Sequence, residues 1–280
     1  MNPEAFPLEA DPIEDQNVGR AGHLSFAARR INAQGASATT EQVAEERPVA
    51  LSYNGISHAV MMATPLDLED FAIGFSLSEA IVGHAGEITD ITQQASADGI
   101  TLEVRITERR MAALRERRRN LTGRTGCGLC GTESLEQAIR PIAHVTASIQ
   151  ATPAMIHQGF GQMARQQVLN HATGAVHAAA LFDGQRCLVR EDIGRHNALD
   201  KLIGAMQRND FHPGILLVTS RASYEMVHKA ASANIALMAA ISAPTSLAIE
   251  LAREAGVTLV GFARGDSLTC YTQGRGQLLG

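Results

Sequence analysis

The sequence has few cysteines, almost no lysine and no long apolar run. A chain of 280 residues can bury one or two substantial cores without disulfide bonds, and this one contains four cysteines. That number is typical of a protein in a reducing compartment. No apolar run approaches the length that crosses a bilayer, and no N-terminal segment combines a basic start with an apolar core. We therefore expect a cytoplasmic protein with no membrane partner.

The charge balance argues against general nucleic-acid binding. Aspartate and glutamate number 29 and lysine and arginine 24, which gives a formal net charge of -5 at pH 7. Lysine occurs only at Lys201 and Lys229. Heavy use of arginine can follow from genome composition, so we assign no function to this bias.

Composition and patterning divide the chain into three expected regions. Residues 1–46 carry scattered Pro, Gly, Ala and Ser, which predicts a poorly ordered leader with at most a short strand or helix near His23 to Ile31. Residues 47–150 include Asn54-Gly55, a strong hairpin signal, and predict a smaller α+β domain. Residues 151–280 alternate strands and helices, which predicts an α/β domain with a mostly parallel sheet covered on both faces.

A helix is expected directly after the hairpin. Thr64-Pro65 followed by Asp67 is typical of an N-cap, a first-turn proline and an acid near the positive end of a helix. Gly83 is expected to end this helix.

Ligands of parallel α/β sheets usually bind at the carboxyl ends of the strands. The strand pattern places four groups of polar residues at one such edge, here called the rim: His177, Glu191 to His196, Ser220-Arg221 and Phe262 to Ser267. Ser220 and Arg221 offer a hydroxyl and a guanidinium beside helix N–H groups, which suits phosphate or pyrophosphate. Simpler interpretations also fit, namely helix capping and an ion pair, a core histidine, or an ordinary surface turn.

Two thiols lie three positions apart in a run with four glycines, from Thr122 to Gly131. Glycine leaves the sulfurs uncovered, so we expect an exposed loop on which Cys127 and Cys130 can react. A Cys-x-x-Cys pair can be half of a zinc site, a reversible disulfide or a carrier of labile sulfur. Zinc is the weaker option, because Cys187 and Cys270 are isolated, and nearby arginines favour the thiolate.

Long stretches of the chain resemble one family, the formate dehydrogenase accessory sulfurtransferases (FdhD). The similarity extends from about Pro48 to Tyr271 and is far more specific than a lone Cys-x-x-Cys. The matching stretches are Arg124-Thr-Gly-Cys-Gly-Leu-Cys-Gly131, Arg190-Glu-Asp-Ile-Gly-Arg-His-Asn-Ala-Leu-Asp-Lys201, Ser220-Arg-Ala-Ser-Tyr-Glu-Met-Val-His-Lys229, Ala243-Pro-Thr-Ser-Leu-Ala248 and Gly256-Val-Thr-Leu-Val-Gly-Phe-Ala-Arg264.

The resemblance implies a sulfurtransferase that takes sulfur from a cysteine desulfurase and delivers it to the bis(molybdopterin guanine dinucleotide) molybdenum cofactor of formate dehydrogenase. Cys127 would accept the sulfur as a persulfide, and Cys130 would stabilise, relay or resolve it. The resemblance also implies association with the formate dehydrogenase catalytic subunit and a homodimer. No metal-ligating residue is assigned.

The same resemblance places the cofactor at the rim. A free guanine nucleotide would mimic part of it. The residues expected to contact the guanine dinucleotide are Phe262, Ala263, Arg264, Gly265, Asp266 and Ser267, and the weaker candidates are His196, Ser220 and Arg221.

The fold implied for the C-terminal region is a cytidine-deaminase-like three-layer sandwich, with the thiol loop on the N-terminal α+β domain. Deaminase chemistry is excluded, because His177 is followed by two alanines and Cys127 is preceded by Gly126 rather than proline. Two other functions stay open: a thiol-disulfide oxidoreductase and a zinc-stabilised nucleotide-binding adaptor.

Overall fold

The computed structural model describes residues 22–122, 142–211 and 213–280. Its strands are β1 (His23–Asn32), β2 (Gly35–Ala44), β3 (Arg47–Tyr53), β4 (Ile56–Ala63), β5 (Ile88–Ser96), β6 (Gly99–Ile106), β7 (Ile149–Ala151), β8 (His177–Phe182), β9 (Cys187–Asp192), β10 (Ile215–Val218), β11 (Leu237–Ala240), β12 (Thr258–Arg264), β13 (Ser267–Thr272) and β14 (Gly276–Leu278). Its α-helices are α1 (Leu68–Ser78), α2 (Glu108–Thr122), α3 (Pro153–Gln166), α4 (Val168–Thr173), α5 (Arg195–Asn209), α6 (Tyr224–Ser232) and α7 (Ser246–Ala255). None of the helices in these ranges is long and apolar enough to cross a membrane.

The first described element is a hairpin of β1 and β2, in which His23 pairs with Ala44 and Asn32 with Gly35. A short strand or helix near His23 to Ile31 was expected and is present as the strand β1, but β2 was not expected, so the prediction of poor order is wrong for the hairpin as a whole. Residues 1–21 lie outside the described part. The composition of the leader hid a local turn, in which the Gln34 N–H donates to Asn32 Oδ1 at 2.9 Å. The hairpin also packs against α4, which is distant in sequence.

A four-stranded sheet in the order β4-β3-β6-β5 carries the N-terminal core. The turn predicted at Asn54-Gly55 is confirmed, with both residues at positive φ, 46° and 80°. Leu51, Tyr53 and Leu102 on the sheet pack with Phe71 of α1 in one buried cluster. The tyrosine hydroxyl has a buried partner, because Tyr53 Oη lies 2.8 Å from Ser76 Oγ.

Helix α1 has different ends from those expected. It begins at Leu68, and the residue before it, Asp67, has φ 52° and makes no side-chain cap. The helix ends at Ser78 rather than at Gly83, and Ala80 then takes φ 54°. Thr64 is therefore not an N-cap, because tertiary hydrogen bonds use its polar groups.

The C-terminal region is built on a six-stranded sheet in the order β13-β12-β11-β10-β8-β9. Only the pairs β10–β11 and β11–β12 are parallel, while β8, β9 and β13 join the sheet by antiparallel pairing. The prediction of a mostly parallel sheet is therefore wrong in this respect. The reason is local, since the turns at Asp183-Gly184 and Gly265-Asp266 are too short for a parallel crossover.

Helices cover both faces of this sheet, as expected for an α/β protein. On one face, α5, α6 and α7 pack in a cluster that includes Leu199, Val227 and Leu251. On the other, Ile156 and Met163 of α3 pack against alternate residues of the same strands.

The N-terminal core joins this sheet through the crossing of α1 and α5. A Cβ atom at Gly74 would clash with the carbonyl oxygen of Asp200, and one at Gly204 would clash with that of Asp70. The two helices therefore touch backbone to backbone, which requires glycine at both positions.

Candidate functional site

The sheet topology brings the predicted polar groups to one edge. Strands β9, β10, β11 and β12 all end there, and β8, which runs the other way, begins there with His177 opposite Asp192. Ser220-Arg221 follows β10, and Phe262 to Ser267 spans the end of β12, the turn after it and the first residue of β13. The sequence therefore located the rim correctly, and ligand binding there stays a prediction.

Backbone hydrogen bonds tie the loops of the rim together. The Ala222 N–H donates to Ala243 O at 3.3 Å, and the Thr245 N–H donates to Ala222 O at 3.0 Å. The Phe262 N–H then donates to Ser242 O at 3.2 Å. The loops after β10 and β11 and the last residues of β12 are consequently connected in one surface.

Phe262 is held in a strained conformation. Its φ is 52°, which is rare for an aromatic residue, and the pairing of β12 with β13 is irregular between Gly261 and Arg264. The ring is 37% exposed, and the Arg264 guanidinium carbon lies 5.7 Å from its centroid. Such strain clusters at binding sites, where the surrounding structure maintains it.

The remaining residues of this group form the turn after Phe262. Ala263 is buried, Gly265 has φ 59°, and Asp266 and Ser267 are exposed. An added Cβ at Gly265 meets no atom within 4 Å, so glycine is needed there for its backbone conformation rather than for space. The turn leaves backbone and side chains open to a ligand.

Ser220 and Arg221 differ in their surroundings. Ser220 is buried, and its hydroxyl donates to Arg221 O at 3.0 Å. The Arg221 side chain is exposed and has no carboxylate within 4.0 Å among the described residues. A guanidinium in this state is available to a phosphate, and phosphate binding here stays a prediction.

His196 Nε2 lies 2.7 Å from Glu225 Oε2, which connects the first turns of α5 and α6. Burial is the largest cause that lowers the pKa of His196, and the charges of Arg195 and Lys229 act in the same direction, while Glu225 opposes them. The pKa of His177 is also lowered, by burial first and by Arg195 second. Both imidazoles at the rim therefore favour the neutral form.

An ion pair between Asp192 and Lys201 fixes the junction of β9 and α5. Asp192 Oδ2 lies 2.7 Å from Lys201 Nζ and accepts the Thr64 N–H at 3.0 Å. Lys201 also donates to Thr64 O at 2.9 Å. Asp192 Oδ1 accepts the N–H groups of Gly194 and the Asn197 amide at 2.8 and 3.0 Å. Through these contacts the end of β9 is connected both to Thr64 of the N-terminal core and to α5.

The second lysine forms a similar buried pair. Lys229 Nζ lies 2.9 Å from Asp200 Oδ1 and donates to Ser78 Oγ at 2.9 Å and to Glu79 Oε1 at 3.1 Å. Ser78 in turn donates to Asp200 Oδ1 at 2.6 Å. Sequence reasoning missed both pairs, although the restriction of lysine to two positions in an arginine-rich chain was a usable signal.

The two predicted reactive cysteines, Cys127 and Cys130, lie outside the described residues. Helix α2 ends at Thr122, a short distance before them in sequence. Cys187 is half-buried in β9, and burial raises the pKa of its thiol to about 11. Burial also raises the pKa of Cys270. Neither thiol has the low pKa of a reactive cysteine.

Comparisons with known proteins find curated relatives that match nearly the whole chain. It is 49% identical over 275 residues to a curated protein of Cupriavidus necator named Sulfur carrier protein FdhD, covering 97% of this chain and 94% of that protein. It is 52% identical over 259 residues to the protein of the same name from Xanthomonas euvesicatoria, covering 90% and 92%.

A solved structure from Desulfotalea psychrophila, described as a formate dehydrogenase accessory protein, matches the fold with a TM-score of 0.70 at 24% identity. The match covers 89% of this chain and 96% of that one. The model of the FdhD/NarQ family matches residues 44–277. The chain belongs to the FdhD/NarQ family, as the resemblance of its motifs indicated.

Proposed function

We propose that this protein is a sulfurtransferase that carries sulfur on Cys127 for the maturation of formate dehydrogenase in the cytoplasm. The observation that supports it most is the similarity, over nearly the whole chain, to proteins named sulfur carriers, together with two thiols in a glycine-rich run. The rim described above supports a second part of the proposal, a binding surface for the cargo that receives the sulfur.

In the proposed transfer, the Cys127 thiolate attacks the outer sulfur of a persulfide on a cysteine desulfurase. A new S–S bond forms at Cys127, the S–S bond of the donor breaks, and the donor cysteine leaves as a thiolate, so no external oxidant is consumed. Cys130 stabilises the carried sulfur or receives it by the same exchange. In a later step an electron pair of the acceptor forms a bond to the outer sulfur, the S–S bond breaks and Cys127 leaves as a thiolate, so the acceptor supplies the two electrons.

The proposed acceptor is the molybdenum cofactor in its bis(molybdopterin guanine dinucleotide) form, bound at the rim. The Phe262 to Ser267 segment supplies an exposed ring, a guanidinium and an open backbone turn, which suit a guanine nucleotide. His196, Ser220 and Arg221 lie on the same edge. The formate dehydrogenase catalytic subunit would then receive the loaded cofactor, and a homodimer would hold two such carriers.

Intact mass spectrometry after incubation with cysteine and a cysteine desulfurase tests the sulfur-carrying role. The wild-type protein should gain one sulfur atom that a reductant removes. Cys127→Ala should gain none, whereas the matched variant Cys187→Ala should load as the wild type does. A protein that only loses two hydrogens, or that holds tightly bound zinc after purification without added metal, would contradict this function.

A further inference from the structure

Arg195 is a partly buried arginine that has no counterion among the described residues. Among the arginines that the structure describes, Arg47, Arg110, Arg190 and Arg195 are not exposed. The first three lie 3.5, 2.6 and 2.7 Å from the carboxylates of Glu45, Glu87 and Asp70. Arg195 has no such partner in the described ranges, and its Nε is buried without a hydrogen-bond acceptor. A guanidinium in this setting is costly unless an anion satisfies it.

The carboxylates near Arg195 already have other partners. Asp192 is bound by Lys201, as described above. Glu191 accepts the N–H groups of Leu169 and Asn170, both at 2.8 Å, and so points toward α4. Glu225 lies against His196. The fold therefore leaves Arg195 available to an external anion.

A second unsatisfied group lies across the rim. Ser223 is the N-cap residue of α6, yet its side chain makes no capping hydrogen bond, and its buried Oγ has no partner among the described residues. Gly194, the N-cap residue of α5, offers no side chain to cap that helix either. The hydroxyl of an N-cap serine normally accepts a hydrogen bond from a backbone N–H of the first helical turn. Because Ser223 Oγ makes no such bond, it is available to a group from outside the described chain.

The two groups flank one position of the sheet. Arg195 follows β9 and Ser223 follows β10, and β8 lies between these strands with His177 at its start. The contact between His196 and Glu225 holds the first turns of the two helices together. The N-termini of α5 and α6 and their partial positive charges therefore lie at the stretch of the rim where β8 begins, and Arg195 is the first residue of α5.

We propose that Arg195, assisted by the Ser223 hydroxyl, binds a phosphate group of the nucleotide carried at the rim, between the N-termini of α5 and α6. This inference rests on the proposed function, which places a guanine dinucleotide at that edge. The phosphates would bind at the part of the rim next to β9 and β10, and the guanine would contact the segment Phe262 to Ser267. Arg195 lies in the Glu191 to His196 group that the sequence placed at the rim, but neither it nor Ser223 was given a role of its own there.

Isothermal titration calorimetry of the full-length protein with GDP and with guanosine tests this assignment. Arg195→Gln should reduce the ratio of GDP affinity to guanosine affinity about tenfold or more, because a bond from a guanidinium to phosphate is charge-assisted. Guanosine affinity should stay within about twofold. Ser223→Ala should lower the same ratio by about fivefold. Inorganic pyrophosphate should displace GDP from the wild type and less from Arg195→Gln.

The matched control is Arg253→Gln, which removes an exposed arginine on the last turn of α7, at the opposite edge of the sheet. It should leave both affinities unchanged. An unchanged ratio in Arg195→Gln would overturn the assignment, and so would a wild type that does not distinguish GDP from guanosine. Since guanosine affinity is read from the same variant, misfolding cannot imitate the expected result.

Sulfur loading of Cys127, measured on the same preparations, separates this inference from the proposed function. Arg195→Gln should load sulfur as the wild type does. If sulfur loads while the affinity ratio is unchanged, the phosphate assignment fails and the carrier role stands. If the ratio falls but no sulfur loads, the carrier role fails and the phosphate site stands.

Discussion

Lys201 Nζ lies 2.7 Å from Asp192 Oδ2, and both side chains are completely shielded from solvent. Asp192 ends β9 at the rim, and the same pair binds the backbone of Thr64 on both its N–H and its C=O. One ion pair thus connects the N-terminal core, α5 and the candidate site. Removing either partner would leave the other charge buried and uncompensated.

Lys201→Met should lower the free energy of unfolding by about 3–5 kcal/mol, because Asp192 would remain buried without its counterion. Urea unfolding followed by circular dichroism measures this. The double variant Lys201→Met with Asp192→Asn should regain part of the loss, since no unpaired charge is left. An exposed matched change, Arg275→Met, should stay within about 0.5 kcal/mol of wild type. Equal stability of Lys201→Met and wild type would show that the pair is dispensable.

Gly204→Ala should destabilise the protein by roughly 1–3 kcal/mol or more, because its new methyl group would meet the backbone of Asp70 in α1. Gly161→Ala is the matched control in α3, where the added Cβ meets only the end of the Arg165 side chain at 3.8 Å. That change should stabilise by about 0.5–1 kcal/mol through helix propensity. Thermal unfolding of both variants provides the measurement, and the same sign for both would contradict the close crossing of α1 and α5.

Phe262→Gly should weaken binding of a guanine nucleotide without lowering stability. Glycine adopts positive φ freely, so relief of about 1 kcal/mol or more of strain offsets the loss of a partly exposed ring. Calorimetry and urea unfolding on the same preparation measure the two effects.

The matched control for Phe262→Gly is Ala80→Gly, which replaces another residue at positive φ, 54°, just after α1. It should gain about 1 kcal/mol of stability, because the strain is relieved without the loss of a ring, and it should bind as the wild type does. A clear loss of stability in Phe262→Gly would indicate that the ring serves the fold rather than the ligand.

His196 should make the protein less stable as the pH falls. Its pKa in the folded state is lowered, chiefly by burial, so the unfolded chain binds its proton more tightly. The stability that it contributes is complete above its ordinary pKa of about 6.5 and declines as the pH drops below that value.

Urea unfolding between pH 7.5 and 5 measures this linkage, with both limits chosen to bracket about 6.5. His196→Gln should flatten the dependence of unfolding free energy on pH, whereas His171→Gln, an exposed change on α4, should not. If the unfolding free energy of His196→Gln depends on pH as steeply as that of the wild type, His196 does not cause this pH dependence.

Local signals in the sequence predicted local structure well. Asn54-Gly55 identified its hairpin because the turn depends on two residues alone. Thr64 misled for the opposite reason, since its N–H and C=O are used by Asp192 and Lys201, more than a hundred positions away. The hairpin of β1 and β2 was missed because composition was averaged over the leader.

The rim was predictable in outline and not in detail. The alternation of strands and helices was enough to place Ser220 and Phe262 at one edge. Strands that are connected by a helix run parallel, so their carboxyl ends lie at the same edge of the sheet. The unsatisfied Arg195 was not predictable, since its state depends on which carboxylates the fold assigns to other partners. The strain at Phe262 likewise appears only once β12 and β13 are paired.

The hydrogen bond from the Thr64 N–H to Asp192 Oδ2 also bears on how the chain folds during its synthesis. The two residues are 128 positions apart. At roughly 5–20 residues per second, a ribosome needs about 6 to 26 seconds to make the stretch between them. During that interval α5 is not yet made, so α1 has no helix to pack against. The surface of α1 around Gly74 is then open to water and to other chains. This protein should therefore depend on chaperones most strongly before α5 leaves the ribosomal tunnel.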